Sequence, residues 1–281
     1  AVGYTLDELN NDITRETVAS FEPAIDYCVV KIPRFTFEKF PGAKDELTTS
    51  MKSVGEAMSI GRTFKEALQK GLRSMEIGAT GLGYSFRSEL PDRETILESL
   101  HRPNSRRMFS LRQALVAGIS EEEIFAVSAI DPWFIRQVRD IVEMEKRISN
   151  FGLANDMTTA NKALADMLRE AKEYGFSDRQ LAEMWKMPEA DIRRMRKEMN
   201  VLPTYYLVDT CAAEFEAATP YYYSCYETED EVEVSDRKRV VVLGSGPIRI
   251  GQGVEFDYCS RKSITSTRML EGYSEAGESI R

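Results

Sequence analysis

Seven short amphipathic segments between Glu94 and Asn200 constrain the fold of this 281-residue chain more than any other feature. In each segment, apolar residues recur three and four positions apart, which places them on one face of an α-helix. Each segment is bounded by Gly, by Pro, or by a Ser, Asp or Asn residue that can cap a helix. Short helices joined by tight turns bury their apolar faces against one another, so this region predicts an all-α domain with orthogonal packing.

The first 81 residues have a mixed pattern. Residues 4–11 predict a helical start, and the β-branched and aromatic residues of 24–35 predict a strand. A second strand is predicted at 53–61, and the polar connection between the two favours an antiparallel pair. Thr63 is a plausible N-cap for a helix that begins at Phe64 and ends at Gly78. This part is therefore expected to be α+β.

The region after Asn200 begins with a tyrosine-rich stretch and an acidic segment, ETEDEVE, which is typical of a solvated linker. A buried parallel strand is predicted at 240–243, followed by a glycine-rich loop. The loop does not match the dinucleotide fingerprint, because Arg249 stands where the third glycine would fall, and the P-loop ending is missing. A tight strand-to-helix turn is the favoured interpretation, with nucleotide binding as the alternative. About 45 residues remain from Arg237, too few to close a doubly wound sheet.

Composition excludes several classes of site. The net charge of −9 argues against a polyphosphate partner bound across the surface. One histidine, His101, would have to serve any catalytic triad or multi-histidine metal site. The cysteines have no CxxC spacing, so they are expected to be core thiols of a cytosolic protein; they are Cys28, Cys211, Cys225 and Cys259.

Two further features concern the context of the chain. No run approaches the roughly 20 apolar residues that cross a bilayer, so no membrane partner is predicted. The sequence opens at Ala1 without an initiator Met or a leader, as a segment from inside a longer chain would.

Residues 177–200 suggest an alternative function, because they have the outline of a DNA-binding helix-turn-helix. A first helix is followed by a turn at Met187 and Pro188, and then by a second helix. Against DNA binding, the acidic Glu189 and Asp191 lie at the start of that second helix, where phosphate would be repelled. A solvated basic face is the favoured interpretation, with four residues expected to be exposed: Arg193, Arg194, Arg196 and Lys197.

Two glutamates, Glu56 and Glu255, interrupt otherwise apolar strand-like stretches. If they point inward they need partners, since a buried unpaired charge is costly, and they would then mark an ion pair or a polar passage. Spacing alone supports an exposed position equally well. Cys211, in VDTCAAEF, is expected to be a buried structural thiol rather than a nucleophile, because no histidine is near it in sequence.

Three stretches of the chain resemble the large subunit of carbamoyl phosphate synthetase. The first runs from FEPAIDYCVVKIPRF through SVGEAMSIGRTFKEAL to MEIGATG, the second is VDTCAAEF, and the third is VVVLGSGPIRIGQGVEFDYC. The resemblance is specific across about 1–81 and 201–260, and looser through the helices. It fails after Tyr273, where the family pattern has a second strand and an Asn-Pro-Glu loop but this chain reads SEAGESIR.

The resemblance implies an α+β multidomain fragment with three parts. Residues 1–81 would be the C-terminal part of the first ATP-grasp domain, which makes carboxyphosphate. Residues 82–232 would be the helical oligomerisation domain. Residues 233–281 would be an incomplete pre-ATP-grasp α/β domain of the half that makes carbamoyl phosphate.

The resemblance also implies a function. The whole enzyme is a ligase that uses two ATP, bicarbonate and glutamine-derived ammonia, with Mg²⁺ or Mn²⁺ and K⁺, for arginine and pyrimidine synthesis in the cytoplasm. Its partners would be the glutamine amidotransferase small subunit and further copies of itself, without nucleic acid. Catalytic, cofactor and metal residues would lie outside this chain, which is expected to be inactive alone. Four positions match the lining of the carbamate tunnel: Glu56, Arg249, Gly253 and Glu255.

Overall fold

The computed structural model describes residues 2–12, 14–83, 90–151, 160–208, 210–212, 214–216, 221–232 and 248–249, with the backbone alone at 160–161 and 248–249. Eight α-helices, two 3-10 helices and five strands are found in these ranges. The α-helices are α1 (Phe64–Ser74), α2 (Arg93–His101), α3 (Arg107–Val116), α4 (Glu121–Ser128), α5 (Pro132–Asn150), α6 (Ala160–Glu173), α7 (Asp178–Trp185) and α8 (Glu189–Glu198). The strands are β1 (Cys28–Arg34), β2 (Gly55–Gly61), β3 (Thr204–Leu207), β4 (Tyr222–Cys225) and β5 (Ile248–Arg249).

All seven predicted helices between Glu94 and Asn200 are present, as α2 to α8. Four of them, α2, α4, α5 and α7, begin at a residue whose side-chain oxygen accepts a hydrogen bond from a backbone N–H in the first turn, whereas α3 and α8 begin without one. The capping residues, including that of α1, are Thr63, Asp92, Ser120, Asp131 and Ser177. The mixed character of the chain, with helices and small sheets, is confirmed.

One hydrophobic core joins α1 to the helical region. The longest helix, α5, lies at its centre, and its buried residues recur at helical spacing from Ile135 to Ile148. The indole N–H of Trp185 in α7 donates to the carbonyl of Ile148 at 2.8 Å, and the ring packs near Phe151. Leu68 and Leu72 of α1 are buried in this same core, so α1 is part of the helical packing.

A three-stranded sheet has the order β1–β2–β5, and both pairs are antiparallel. The β1–β2 pairing confirms the predicted strands and their direction. The face that carries Val30, Ile32 and Ala57 packs toward α1 and the core, whereas Val29, Lys31 and Met58 lie exposed on the outer face.

The tyrosine-rich stretch after Asn200 forms a second sheet, the β3–β4 hairpin, rather than an irregular connection. Tyr206 pairs directly with Tyr223, and both are buried in a small cluster with Cys225. The acidic segment is not a free linker either: Glu231 accepts from Leu207 N at 2.7 Å and donates from its own N to Tyr205 O at 2.9 Å. Within 227–232, residues 228–230 are exposed, while Glu231 bonds to the edge of β3.

Three local predictions need correction or fall outside the described residues. The predicted start at 4–11 is helical only as a 3-10 turn over Leu6–Glu8. Helix α1 ends at Ser74, because the N–H of its C-cap Met75 bonds back to Leu72 O in a tight last turn. The predicted strand at 240–243 lies outside the described ranges, and Ile248–Arg249, predicted in a loop, pairs as β5.

Candidate functional site

Glu56 lies in β2 on the outer face of the sheet. Its side chain is 45% exposed, and its Oε2 lies 2.9 Å from Nζ of Lys31 on β1. The sequence left open whether Glu56 points inward or lies exposed. The structure shows it exposed, with Lys31 on the neighbouring strand as its partner.

Arg249 is brought next to Glu56 by the pairing of β5 with β2. The Cα partners are Gly55 with Arg249 and Glu56 with Ile248. Two residues that lie 193 positions apart in the sequence are therefore on adjacent strands, although only the backbone of Arg249 is described. Gly253 and Glu255 lie outside the described residues, so the four-residue lining remains a prediction.

A second polar region, which we call the junction network, lies where α1 meets α6, α7, α8 and the hairpin. Glu66, in the first turn of α1, is almost fully buried. Its carboxylate accepts from Arg62 N at 2.8 Å and lies 2.7 Å from Nζ of Lys70. At Gly175, φ is +84° and a Cβ would come within 2.9 Å of Glu66 Cα, so a glycine is required for this close approach.

Asp178, at the start of α7, is the shared acceptor of the junction network. Arg196 of α8 donates to both of its carboxylate oxygens, at 3.2 and 3.1 Å, and Lys172 of α6 pairs with it as well. All three side chains are largely buried. Burial alone would raise the pKa of Asp178, but Lys172 and Arg196 outweigh it, so this pKa is lowered.

Lys172 is affected in the opposite sense. Burial lowers its pKa from the ordinary 10.5 to about 8, against the opposing influence of Asp178. Its ammonium also donates to Phe176 O at 3.0 Å. The network thus places cations and carboxylates in a poorly solvated region where each depends on the others.

Arg62 connects the two sheets at the edge of the junction network. It donates to Asp26 at 2.7 Å and to the Tyr223 hydroxyl at 3.2 Å, and its guanidinium lies 4.9 Å from the centre of the Tyr206 ring. Burial raises the pKa of Tyr223 to about 12, although Arg62 opposes that rise. Tyr223 is therefore a neutral phenol near pH 7. The contacts of Arg62 with Tyr223 and Tyr206 attach the hairpin to the end of β2.

The sequence reasoning missed the junction network, although a signal for it was present. Lys172 follows the buried Leu168 by four residues, and Arg196 follows the buried Ile192 by four. Both charges therefore fall on the apolar face of their helices, where a buried partner is needed. The identity of that partner depends on tertiary packing and could not be read from the pattern.

The helix-turn-helix interpretation is weakened by the same contacts. Helices α7 and α8 are joined through Lys186 in the left-handed conformation. Arg196, predicted to be exposed, is only 7% exposed and is used by Asp178 and by Val201 O. Arg194 is exposed but pairs with Asp191 at 2.8 Å. The predicted basic face thus loses one of its four charges to the protein interior.

Within the described ranges, no three His, Cys, Asp or Glu residues come together as a metal site. Cys211 is buried, as expected for a structural thiol. Across the part of the chain that is described, none of the helices combines the length and apolarity needed to cross a membrane.

Comparisons with known proteins match this architecture. Residues 56–200 match the family model of the carbamoyl-phosphate synthetase large chain, oligomerisation domain, and 236–275 match the carbamoyl phosphate synthase preATP-grasp domain. The predicted boundaries at 81/82 and 232/233 remain predictions.

Curated relatives are similar over nearly the whole chain. The carbamoyl phosphate synthase large chain of Archaeoglobus fulgidus is 52% identical over 273 residues, which is 97% of this chain and 25% of the relative. Those of Nostoc sp. and Synechocystis sp. are 53% and 54% identical over 92% of this chain and 23% of each relative.

The chain therefore spans about a quarter of the length of the relatives it matches. These relatives and family models give DNA binding no support. Because the oligomerisation-domain model alone matches just over half of its residues, the chain belongs to the carbamoyl phosphate synthetase large-chain family.

Proposed function

We propose that this chain is the central part of a glutamine-dependent carbamoyl phosphate synthetase large chain. The whole enzyme would be a cytoplasmic ligase that makes carbamoyl phosphate from two ATP, bicarbonate and ammonia, using Mg²⁺ or Mn²⁺ and K⁺. The small subunit would supply the ammonia from glutamine, and the product would serve arginine and pyrimidine synthesis. The observation that carries the proposal is the match to the oligomerisation-domain model over residues 56–200.

Within that enzyme the chain would have two roles, assembly and the lining of a passage for carbamate. Residues 1–81 would complete the first ATP-grasp domain, and 233–281 would begin the pre-ATP-grasp domain of the second half. The pairing of β5 with β2 supports a passage at this boundary, because it joins the two parts in one sheet beside Glu56. A polar lining shielded from bulk water would carry an unstable anion between two sites.

The lining is tested by Glu56→Lys in the full-length large chain assembled with its small subunit. We expect carbamoyl phosphate formation to fall at least tenfold, while bicarbonate-dependent ATP hydrolysis at the first site changes less than about twofold. Glu143→Lys is the matched control, since Glu143 is an exposed glutamate of α5. Unchanged synthesis by the Glu56 variant would remove this residue from the passage.

The assembly role points to a cluster of three aromatic rings at the start of α5. Phe64, Trp133 and Phe134 contact one another edge to face, with ring centroids 5.0 to 5.4 Å apart. Trp133 and Phe134 are 44% and 43% exposed. Exposed aromatic patches are typical of protein interfaces, and a second copy of the chain is the partner that the oligomerisation-domain match supports.

Sedimentation of the full-length large chain tests this contact. Trp133→Glu is expected to shift the enzyme toward smaller species, while Leu202→Glu, an exposed apolar position outside the cluster, is expected to leave its mass unchanged. The isolated 281-residue chain is expected to make no carbamoyl phosphate. Activity above background would overturn the assignment of complete active sites to other parts of the enzyme.

A further inference from the structure

A cavity of about 190 Å³ lies beside the junction network. Its walls come from α1, from the connection between α6 and α7, and from the hairpin with the residues next to it. The side chains that matter to its chemistry are Glu66, Lys70, Arg73, Lys172, Tyr205 and Tyr226. Three of these are cations and one is a carboxylate, in a chain whose net charge is −9.

Arg73 is the cation with the most unused hydrogen-bonding capacity. Its Nη1 donates to Gly175 O at 2.7 Å. Among the described residues, this carbonyl is the one hydrogen-bond acceptor of the Arg73 guanidinium. A guanidinium has five N–H donors, so most of those of Arg73 have no protein acceptor among the described residues. Lys70 and Lys172 differ, because backbone carbonyls and carboxylates already accept from their ammonium groups.

The charge balance of the cavity favours an anion. Glu66 is paired with Lys70, and Asp178 behind the wall is shared by Lys172 and Arg196. Arg73 itself forms no ion pair among the described residues, although the charges of Glu66 and Asp178 favour its protonated form. Burial lowers the pKa of Arg73, as it does that of Lys172, which reflects the cost of taking each cation out of water.

The size of the cavity limits the ligand. Pockets for drug-sized molecules and cofactors are usually about 300–1,000 Å³, so this one is too small for a nucleotide. The cavity lies between the start of α7 at Ser177 and the Tyr226 ring, whose centre is 5.7 Å from the ammonium of Lys172. Cationic side chains in such a space form short, charge-assisted hydrogen bonds to oxyanions.

We propose that this cavity binds one small, doubly charged oxyanion of the phosphate class, with Arg73 as its principal ligand and Lys70 and Lys172 as supporting charges. This goes beyond the proposed assembly and passage roles, since neither requires a ligand at this position.

The test is isothermal titration of the 281-residue chain with inorganic phosphate at constant ionic strength. We expect saturable binding of one phosphate, a loss of affinity of at least tenfold in Arg73→Gln, and a smaller loss in Arg73→Lys, which keeps the charge. Arg179→Gln is the matched control, because Arg179 is exposed on α7 and pairs only with Glu183 among the described residues. It is expected to bind within about twofold of the parent chain.

Three outcomes would overturn the proposal. They are the lack of saturable binding up to about 10 mM phosphate, equal affinity in Arg73→Gln and the parent chain, and acetate binding as tightly as phosphate. If Arg73→Gln does not fold, crystals of the parent chain soaked in selenate decide the question. An anomalous peak between Arg73 and Lys70 would support the site, and a cavity without one would refute it.

Discussion

The junction network and the outer face of the β1–β2 sheet both contain Lys–carboxylate pairs, but their surroundings differ. In the network, Lys172 and Asp178 are largely buried, and Arg196 completes the cluster. On the sheet, the side chains of Lys31 and Glu56 are 61% and 45% exposed and are 2.9 Å apart. One Lys–carboxylate pair therefore lies in a poorly solvated interior, and the other lies at the surface in contact with water.

The difference in burial shows which charge pairs matter for the folding of this chain. Water screens an exposed pair and stabilises each partner alone, so the pair contributes little to folding. A buried charge depends on its partner, because removing one leaves the other unpaired in a medium that solvates it poorly. The network thus belongs to the internal packing of the chain, whereas the sheet face with Glu56 is available to another surface.

The largest expected effect is that of Asp178→Ala. Because Lys172 and Arg196 would both be left without their carboxylate, we expect the free energy of unfolding to fall by about 3–5 kcal/mol, measured by urea denaturation. Asp191→Ala is the matched control, since Asp191 pairs with Arg194 on the surface and should cost about 1 kcal/mol or less. Similar losses in the two variants would contradict the distinction between buried and exposed pairs.

Lys172→Met is expected to change how stability depends on pH. Burial lowers the pKa of Lys172 to about 8, so between that pH and 10.5 the unfolded chain binds this proton more than the folded chain does. The contribution of Lys172 to the free energy of unfolding therefore rises with pH across this window. The charged and titratable neighbours Asp178, Arg73, Arg196 and Tyr226 are present in both proteins.

Urea denaturation at pH 7.5 and pH 10 measures the free energy of unfolding of the parent chain and of Lys172→Met, and the two values are compared at each pH. The pKa of Lys172 in the unfolded chain is taken as the ordinary 10.5. The parent chain should gain stability relative to Lys172→Met as the pH rises. A constant difference between the two would show that the ammonium is not destabilised by burial.

Ser177→Ala tests the same junction at a neutral residue. Its hydroxyl caps α7 by accepting from Gln180 N at 3.1 Å, and it also donates to Thr80 O at 3.2 Å. We expect a loss of about 1–2 kcal/mol in urea denaturation, since both the cap and the link to Thr80 disappear. Ser120→Ala, which removes only the cap of α4, should cost about 0.5–1 kcal/mol.

The smallest effect is expected for Glu56→Gln in the 281-residue chain. Because the pair with Lys31 is exposed, the free energy of unfolding should change by about 0.5 kcal/mol or less. A loss above about 2 kcal/mol would mean that the outer face is part of the folded core, contrary to its exposure. The small effect also makes Glu56 suitable for activity tests in the full-length enzyme.

Local patterns predicted the helices well. Segments α2 to α8, the caps Thr63 and Ser177, and the antiparallel β1–β2 pair depend on residues that are close in sequence, and all are confirmed. The hairpin was missed because its tyrosines gave no clear alternation and its stability comes from packing against Arg62 and Tyr27. Likewise, Arg196 was placed on the surface, because a basic run does not reveal which of its members faces a buried carboxylate.

The sequence by itself determined the family resemblance and the helical region, whereas the passage residues that the resemblance names remain a prediction. Helix periodicity and capping are local properties, and they can be read wherever apolar spacing and end residues agree. Only the tertiary structure decided that Glu56 lies beside the β5 backbone, that Asp178 joins three elements, and that Arg73 faces a cavity. The physical reason is that the free energy of a charged group depends on the charges around it and on its exposure to water. Both are set by residues that are distant in the sequence.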